Sequence, residues 1–428
     1  MEASEAAKNA LQSVLEAKED ESIVIFCDDA KTEIGKAFEK GAKDLKLHTR
    51  LVLLKTSSKV IRTEVPKLLM KHLTTQRPDM YVNIFTGTRE ETPFRIKLIQ
   101  LETQNHKTRL GHCPGVTLEM LTQGALALTT NEHRQMQEFA ESLMERMKEA
   151  VKLEIRNPAG TNIVLSIKER PFITDTKLDW ESLKWMNLPT GEVYVAPVEN
   201  SLEGKLVCDM AIGGIGPVNT PVTIRAEQGK VESVTSENAE ILKIVQNSLH
   251  TDAMAKVVGE FAFGINSKAR FTQEFLEAEK ILGTVHVAFG ENMNMPAGKN
   301  NSANHMDFLI SKPSVNIITE NGSVTSLLVD GAFQAAESNE KPTEKSEEKL
   351  PISGFYKVIE YVTIFKSEKW WEAIVIFEIY GKRQMGMYLW QKRSGQWKRK
   401  NKFGIRNIDE WNKLKNAVDQ LAPKLTTE

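Results

Sequence analysis

The stretch that decides the fold class is ESIVIFCDDAKTEIGKAFEKGAKDL, residues 21–45. Its first part is an apolar run that ends in two aspartates, which suits a buried strand followed by a helix-capping turn. Its second part has apolar residues at helical spacing. Two further strand candidates follow, HTRLVLLK at 48–55 and DMYVNIFTG at 79–87. Strands that alternate with helices predict an α/β domain with a parallel sheet over residues 1–155.

The chain has 428 residues, too many for one ordinary hydrophobic core, so we expect two or three domains. Hydrophobic residues make up 41% and charged residues 26%, proportions typical of soluble globular proteins. The N-terminus is acidic and helical in pattern, unlike a signal peptide, and no apolar run approaches the length of a membrane span. Three widely spaced cysteines, Cys27, Cys113 and Cys208, favour a reducing cytoplasm and argue against a thiolate metal site.

Residues 156–335 show a different pattern, with short apolar runs separated by Gly, Asn and Pro turns and two helical runs, AEILKIVQNSL and TQEFLEAEKIL. This pattern predicts a β-rich α+β domain. A long amphipathic helix is predicted at 131–154, just before it. The segment AESNEKPTEKSEEKL, residues 336–350, is charged and lacks aromatic residues, so it predicts a flexible linker. Glycine-rich nucleotide-binding patterns are absent, and GGIGPV at 213–218 predicts a tight turn between strands.

Residues 351–428 form a predicted third module of three strands followed by a helix, with 15 Lys and Arg against 8 Asp and Glu. It contains five of the seven tryptophans, and its segment 395–411 interleaves Trp397 and Phe403 with basic residues. Basic side chains neutralise phosphates, and aromatic rings stack on unpaired bases. The order of elements is similar to a small coactivator fold that binds single-stranded DNA. Two hypotheses stay open, a basic accessory or dimerisation domain and a domain that binds single-stranded nucleic acid.

Five residues of the middle domain are candidate metal ligands. They are Glu192 after a Pro-Thr-Gly turn, Glu260, His286, and the pair His305 and Asp307. Because strand residues i and i+2 point the same way, His305 and Asp307 would face one point in space. Carboxylates suit hard divalent cations, imidazole suits zinc, cobalt, manganese and iron, and a two-metal site can hydrolyse an amide. Spacing alone also allows a solvated glutamate or a satisfied core histidine.

Four motifs in this region resemble, in order and approximate spacing, the motif series of the aminopeptidase T family of thermophilic metallopeptidases. They are NLPTGEVYVAP, GEFAFGIN, GTVHVAFG and GKNNSANHMDFLI, which together span about residues 187–312. The resemblance implies a homodimer that cleaves N-terminal residues from peptides with a pair of divalent cations, for which the ligand types suit zinc, cobalt or manganese. The ligands that it implies are Glu192, Glu260, His286, His305 and Asp307. One of the two glutamates, more readily Glu260, would instead relay the proton.

Two features depart from the family pattern. Met293 stands where the family has a metal-ligating tyrosine, and only 19 positions separate the two histidines. Glu291 and Asn292 are candidate replacements for the missing ligand. The sequence therefore leaves open whether one or two metals bind.

The same residues also allow a second hypothesis of enzymatic function. Dihydroxypyridine ring-cleaving dioxygenases share this fold and use two histidines and one aspartate on a single Fe(II), a set that His286, His305 and Asp307 would supply. A third hypothesis is that the protein is a non-catalytic relative of these enzymes that associates with nucleic acid. Outside the motifs, TRLGHCPGVT at 108–117 offers Arg109 as a group that binds a substrate carboxylate, or else forms a structural βα loop.

Overall fold

The structure is a computed structural model. It describes residues 1–56, 61–104, 107–178, 184–334, 350–352, 357–379, 382–393 and 395–421. The chain divides into two compact units, Met1–Glu337 and Ser338–Glu428. Apart from Leu350, the linker predicted at 336–350 lies outside the described residues. Among the described helices, none is long and apolar enough to cross a membrane.

The N-terminal region is built as the alternation of strands and helices predicts. Its elements are α1 (Ala3–Ser13), β1 (Ser22–Asp28), α2 (Thr32–Asp44), β2 (His48–Leu54), α3 (Lys67–Thr74), β3 (Met80–Phe85), α4 (Thr92–Thr103), β4 (Arg109–Pro114), α5 (Leu118–Thr122) and α6 (Thr130–Met147). The strands pair in parallel in the order β2-β1-β3-β4, which confirms the predicted parallel sheet. β1 and β3 are almost entirely buried, as strands covered by helices on both faces are.

The long helix predicted at 131–154 is confirmed as far as Met147, and the prediction is wrong for the last seven residues, 148–154. α6 starts with a capping box at Thr129 and Glu132 and ends at Met147. The chain then forms β5 (Ala150–Arg156), in which Leu153 and Ile155 are buried and their neighbours are not. This alternation with period 2 suits a strand with one face in the core.

The middle region contains two antiparallel sheets. Its elements are β5, β6 (Asn162–Ser166), β7 (Ile173–Thr174), β8 (Trp185–Asn187), β9 (Glu192–Val195), β10 (Glu203–Cys208), β11 (Ala211–Ile212), β12 (Gly216–Pro217), β13 (Val222–Glu227), β14 (Lys230–Thr235), α7 (Ala239–Leu249), β15 (Val258–Gly264), α8 (Phe275–Ala278), β16 (Val285–Gly290), β17 (His305–Ile310), β18 (Ser314–Thr319), β19 (Val324–Val329) and β20 (Ala332–Phe333). The sheet orders are β14-β13-β10-β6-β5-β18-β19-β20 and β12-β11-β17-β16-β15-β9-β7.

Two details of this region differ from the sequence expectation. β8 extends the N-terminal sheet by pairing in parallel with β4, although it lies inside the predicted range 156–335. The predicted helix TQEFLEAEKIL is helical only over Phe275–Ala278, because Lys280 leaves the helix for a buried cluster of carboxylates. The domain boundary at residue 155 stays a prediction.

The two antiparallel sheets enclose one apolar core. Phe261, Phe263, Val287 and Phe308 contribute to it from β15, β16 and β17, and the facing sheet contributes residues such as Leu153. Because side chains alternate along a strand, the residues between these core positions share the opposite face of their sheet. That face lies toward the N-terminal region and carries the polar residues discussed below.

The C-terminal unit is a four-stranded antiparallel sheet followed by a helix. Its elements are β21 (Lys357–Lys366), β22 (Trp370–Ile379), β23 (Lys382–Arg393), β24 (Gln396–Ile405) and α9 (Ile408–Leu421). The basic segment that follows the three predicted strands forms the fourth strand, β24. The core of the unit includes Trp371, Phe377, Tyr388 and Trp390.

Of the two hypotheses for Arg109, the structure favours a structural role over a contact with a substrate carboxylate. It lies at the amino end of β4 and is buried. Its Nη2 lies 2.7 Å from the Glu21 carboxylate, and Nη1 donates to the carbonyl oxygens of Leu15 and Glu16 at 2.9 and 2.8 Å. Its guanidinium therefore joins the end of α1 to the sheet.

We expect Arg109→Gln to lower the free energy of unfolding by about 3 kcal/mol, because it leaves buried carbonyls and a carboxylate without their donor. Urea denaturation followed by circular dichroism measures this change. Arg134→Gln is the matched control, since its ion pair with Glu138 is exposed and worth about 0.5 kcal/mol or less. Equal stability of both variants would contradict the structural role of Arg109.

Candidate metal centre

The five candidate ligands lie on one face of four neighbouring strands, β9, β15, β16 and β17. The residues opposite them are small: His286 pairs with Ala262, and Asp307 pairs with Ala288. Both alanines are fully buried. Small neighbours leave room for several polar side chains to converge at one place on the sheet.

Glu260 lies at the centre of this group. The register of β15 against β16 shifts between Val258 and Glu260, and such a bulge changes the direction of a side chain. One carboxylate oxygen of Glu260 is 3.3 Å from Nε2 of His286, and the other is 3.4 Å from Nε2 of His305. A single carboxylate thus spans both imidazoles.

The two imidazoles present their Nε2 atoms to the same carboxylates. Nδ1 of His305 donates to the backbone oxygen of Glu291 at 2.8 Å, which directs its Nε2 toward Asp307 at 3.3 Å. Nε2 of His286 lies 3.7 Å from Glu192 and 3.9 Å from Asp307. A histidine held by a backbone carbonyl through its second nitrogen is the usual arrangement of a metal ligand.

The donor set fits a divalent cation. Glu192 Oε2 is buried and has no hydrogen-bond partner among the described residues, yet it faces the imidazole of His286. Three groups of potential ligands lie within 4.8 Å of one another: Glu192, Glu260 and His286; Glu260, His305 and Asp307; and Glu279, His286 and Asp307. The structure therefore brings all five predicted residues together, and it adds Glu279, which sequence reasoning missed.

A buried lysine, Lys280, lies against the carboxylates of the cluster, and its role was not predicted from the sequence either. Nζ of Lys280 lies 2.5 Å from Glu192, 2.9 Å from Glu279 and 3.3 Å from Asp175. Asp175 in turn accepts the backbone N–H groups of Gly191 and Glu192 at 2.9 and 2.8 Å. Burial alone would lower the pKa of Lys280, but the carboxylates of Glu192, Glu279 and Asp175 raise it well above its usual value. The ammonium group therefore holds one oxygen of Glu192 and leaves the other oxygen facing His286.

The charges of the cluster shift the pKa values of its members in different directions. Burial raises the pKa of Glu192 to about 8, Lys280 opposes the shift, and the neighbouring carboxylates add to it. Burial also opposes the charged forms of Glu260 and His286. Hydrogen bonds with the two histidines nevertheless hold the pKa of Glu260 well below its usual range, and Glu260 and Asp307 raise the pKa of His286 to about 9. The pKa of His305 is raised for the same reason.

Two cavities meet at the cluster and share Glu291 and His305 in their walls. One has a volume of about 480 Å³ and is lined by Glu192 and by apolar side chains that include Phe172, Met186 and Met295. The other has a volume of about 1060 Å³ and extends from Asp307 to the carboxyl ends of β3 and β4. An extended molecule could therefore occupy both sides of the cluster.

The hairpin at 213–218 forms part of the wall of the larger cavity, which confirms a tight turn there. Ile212 and Gly216 pair across it. A Cβ atom at Gly213 would lie 3.0 Å from the carboxylate of Asp307, so glycine permits the hairpin to approach this residue.

The candidate replacements for the missing tyrosine ligand are engaged elsewhere. Met293 is 54% exposed. The Glu291 carboxylate accepts the backbone N–H groups of Met293 and Ser302, and the Asn292 side chain bonds Asn300 and Gly259. Glu291 joins none of the groups of potential ligands found within the described part of the chain.

Two imidazoles and several carboxylates lie around one point, at the junction of two cavities, and this set of groups could hold a divalent cation of the kind that hydrolases use. Residues 126–333, just under half of the chain, match the family model of the thermophilic metalloproteases (M29). Over these residues the chain is similar to this metalloprotease family, which confirms the resemblance predicted from the four motifs. A comparison with curated protein sequences found no match.

Two solved structures share the fold. Wild-type AmpT from Thermus thermophilus has a TM-score of 0.58 and 16% identity, over 78% of this chain and 99% of AmpT. The 2,5-dihydroxypyridine dioxygenase from Pseudomonas putida has a TM-score of 0.56 and 17% identity, over 78% of this chain and 97% of the dioxygenase. The fold alone therefore does not separate the two chemistries, whereas the family match favours the metallopeptidase.

We expect the affinity for zinc to rise with pH from about pH 6 to 8. His286, with a pKa of about 9, and His305 carry protons in the metal-free protein at these pH values, and a proton must leave before each nitrogen binds a cation. Each displaced proton should change the apparent affinity by about tenfold per pH unit.

Competition with a chelator of known affinity measures this slope. In His305→Ala the slope should decrease by about one proton, because one imidazolium is gone. An affinity that does not change with pH in the native protein would contradict protonated histidines at this site.

Proposed function

We propose that this protein is a metal-dependent aminopeptidase, which removes N-terminal residues from peptides by attack of water on the first peptide bond. The observation that carries the proposal is the carboxylate of Glu260 between His286 and His305, on a sheet face that also presents Glu192 and Asp307. The family match over residues 126–333 supports the same class of chemistry.

Two of the three groups of potential ligands share Glu260. We propose that Glu192 and His286 would hold one cation, that His305 and Asp307 would hold a second, and that Glu260 would serve both sets. When bound, zinc, cobalt or manganese would polarise the scissile carbonyl and lower the pKa of a water molecule. Both oxygens of Glu260 face the two histidines. We therefore propose that Glu192 relays the proton, the role that the sequence assigned more readily to Glu260.

Glu192 is suited to accept and return a proton. Lys280 fixes one of its oxygens, and the other is buried without a hydrogen-bond partner among the described residues. A carboxyl whose pKa is raised toward neutrality exchanges protons efficiently at physiological pH. In this role, which replaces its place among the ligands, Glu192 would take the proton from the attacking water and give it to the leaving amine.

The alternative is a single-iron dioxygenase that uses His286, His305 and Asp307. The shared fold with the Pseudomonas dioxygenase favours it, but Glu192 and Glu260 would have no role in that site. Metal analysis separates the two hypotheses, because the peptidase predicts up to two equivalents of zinc, cobalt or manganese and the dioxygenase predicts one of iron.

We expect chelation to abolish hydrolysis of leucine p-nitroanilide and added metal to restore it. Glu260→Gln should lower kcat/KM by at least about a hundredfold and reduce the metal content, because the amide cannot bridge two cations. Glu232→Gln is the control, since Glu232 is an exposed residue of the other sheet. Undiminished hydrolysis after complete metal removal would refute the proposal.

Further properties follow from the sequence and remain proposals. The family resemblance implies a homodimer. Three buried free thiols, Cys27, Cys113 and Cys208, are consistent with a reducing cytoplasm.

For the C-terminal unit, we propose a contact with single-stranded nucleic acid. β24 presents Lys398, Arg399 and Lys400 to solvent, next to Phe403, which is 49% exposed. Such a strand supplies positive charge and one ring for stacking. Trp371 and Trp390 are buried and cannot stack on bases, so the electrostatic contribution should dominate.

Fluorescence anisotropy with labelled oligothymidine tests this contact. The triple variant Lys398→Gln, Arg399→Gln, Lys400→Gln should weaken binding about tenfold and lower the salt dependence by roughly two counterions. The double variant Lys413→Gln, Lys415→Gln in α9 removes exposed charge from the same unit and serves as control. No binding by the native protein at low salt would refute the contact.

A further inference from the structure

The far wall of the larger cavity is formed where parallel strands end. Gly87 follows β3, Gly115 follows β4, and Arg95 and Lys97 reach the cavity from α4. Ligands of α/β sheets commonly bind at the carboxyl ends of the strands. The near wall of the same cavity contains Asp307 of the metal centre. One continuous cavity therefore connects Asp307, a candidate metal ligand, with the basic side chains of Arg95 and Lys97 in the first half of α4.

Arg95 has an unusual environment for an arginine. It is half-buried, and its guanidinium donates to the carbonyl oxygen of Thr88 at 2.7 Å and to the hydroxyl of Thr92 at 2.9 Å. Both acceptors are neutral. Within the described part of the chain, Arg95 forms no ion pair, and five N–H donors leave it further hydrogen bonds to make.

The nearest carboxylates are already taken by another arginine. Arg62 binds Asp28 through Nη1 at 2.6 Å and Glu91 through Nε at 2.8 Å. Burial lowers the pKa of Arg95, Glu91 opposes that shift, and the positive charge of Arg62 adds to it. Lys97, in contrast, lies in the same wall and pairs with Glu64. Arg95 is thus a partly desolvated cation that faces a cavity and has no ion-pair partner among the residues that the structure describes.

The cavity is polarised along its length, with Asp307 at the metal centre and Arg95 at the other wall. A short free peptide carries a positive charge at its amino terminus and a carboxylate at its other end. The planar guanidinium group of arginine binds a carboxylate through two parallel hydrogen bonds. Glu274, another acidic residue of the wall, lies over Gly115 and forms no ion pair with Arg95 in the described structure.

We propose that Arg95 binds the C-terminal carboxylate of short peptides whose first peptide bond lies at the metal centre. This inference rests on the proposed aminopeptidase function and adds a substrate class to it. Substrates would be oligopeptides with a free carboxylate and one preferred length, since each extended residue adds about 3.5 Å. Such peptides are the products of endoproteolytic cleavage, so an endopeptidase reaction would supply the substrate.

The test is calorimetric titration of the metal-loaded full-length protein with leucyl peptides extended by one to four alanines. Each peptide has a reduced first peptide bond that resists cleavage, and each is prepared as the free acid and as the C-terminal amide. At one length the acid should bind roughly tenfold to a hundredfold more tightly than its amide, as expected of hydrogen bonds between charged groups.

Variants assign the effect to one side chain. Arg95→Gln should reduce the affinity for the acid to that for the amide and leave the affinity for the amide unchanged. Arg95→Lys should keep part of the preference, because it preserves the charge without the planar fork. Lys97→Gln should keep the full preference, which separates a specific contact from the general charge of the wall. Thermal unfolding verifies that each variant is folded.

The possible outcomes distinguish this inference from the proposed function. A preference for the acid that Arg95→Gln abolishes supports the assignment, even if unmodified peptides are not cleaved, in which case the hydrolase proposal fails. Cleavage by a protein that binds acid and amide equally at every length overturns the role of Arg95 alone. A preference that persists in Arg95→Gln also overturns it, and so does the absence of binding of every peptide, whereas hydrolysis of leucine p-nitroanilide decides the proposed function separately.

Discussion

The contact on which the site depends is the carboxylate of Glu260 between the imidazoles of His286 and His305. Charged groups taken out of water destabilise a protein unless they are paired, and here each one faces an opposite charge. The surrounding structure is arranged for this purpose, since a bulge directs Glu260 and alanines leave space beside it. A register shift of one residue in β15 would turn Glu260 into the apolar core.

The part of the site that sequence could predict is the part encoded by strand periodicity. His305 and Asp307 are two residues apart in a short strand, so their common direction follows from local geometry. Glu192 follows a turn, and His286 interrupts an apolar run, so both stand out in the chain. The parallel sheet follows in the same way from the alternation of its strands and helices. The end of α6 at Met147 was missed because the helical pattern continues into a segment whose burial depends on a partner sheet.

Residues whose role depends on contacts with distant parts of the chain could not be predicted from the sequence around them. Lys280 is an ordinary residue of a helical run until the fold brings Glu192 and Asp175 to it. The two arginines illustrate the same point. Arg109 begins a parallel strand and Arg95 follows the end of another, so strand direction places only Arg95 beside the cleft. The direction of each strand follows from the sequence. It places Arg109 at the amino end of β4, the end away from the cleft, and would have excluded Arg109 as a ligand of the substrate.

The buried ammonium group of Lys280 also bears on how the protein matures. It is a permanent counter-ion, built into the chain, for carboxylates that would otherwise repel one another in the metal-free state. Zinc-finger domains lack such a group and do not fold until their ion arrives. A chain that carries its own cation can complete folding first and acquire its metal afterwards. We therefore expect the supply of metal to change the metal-loaded fraction of this protein more than the amount of folded protein.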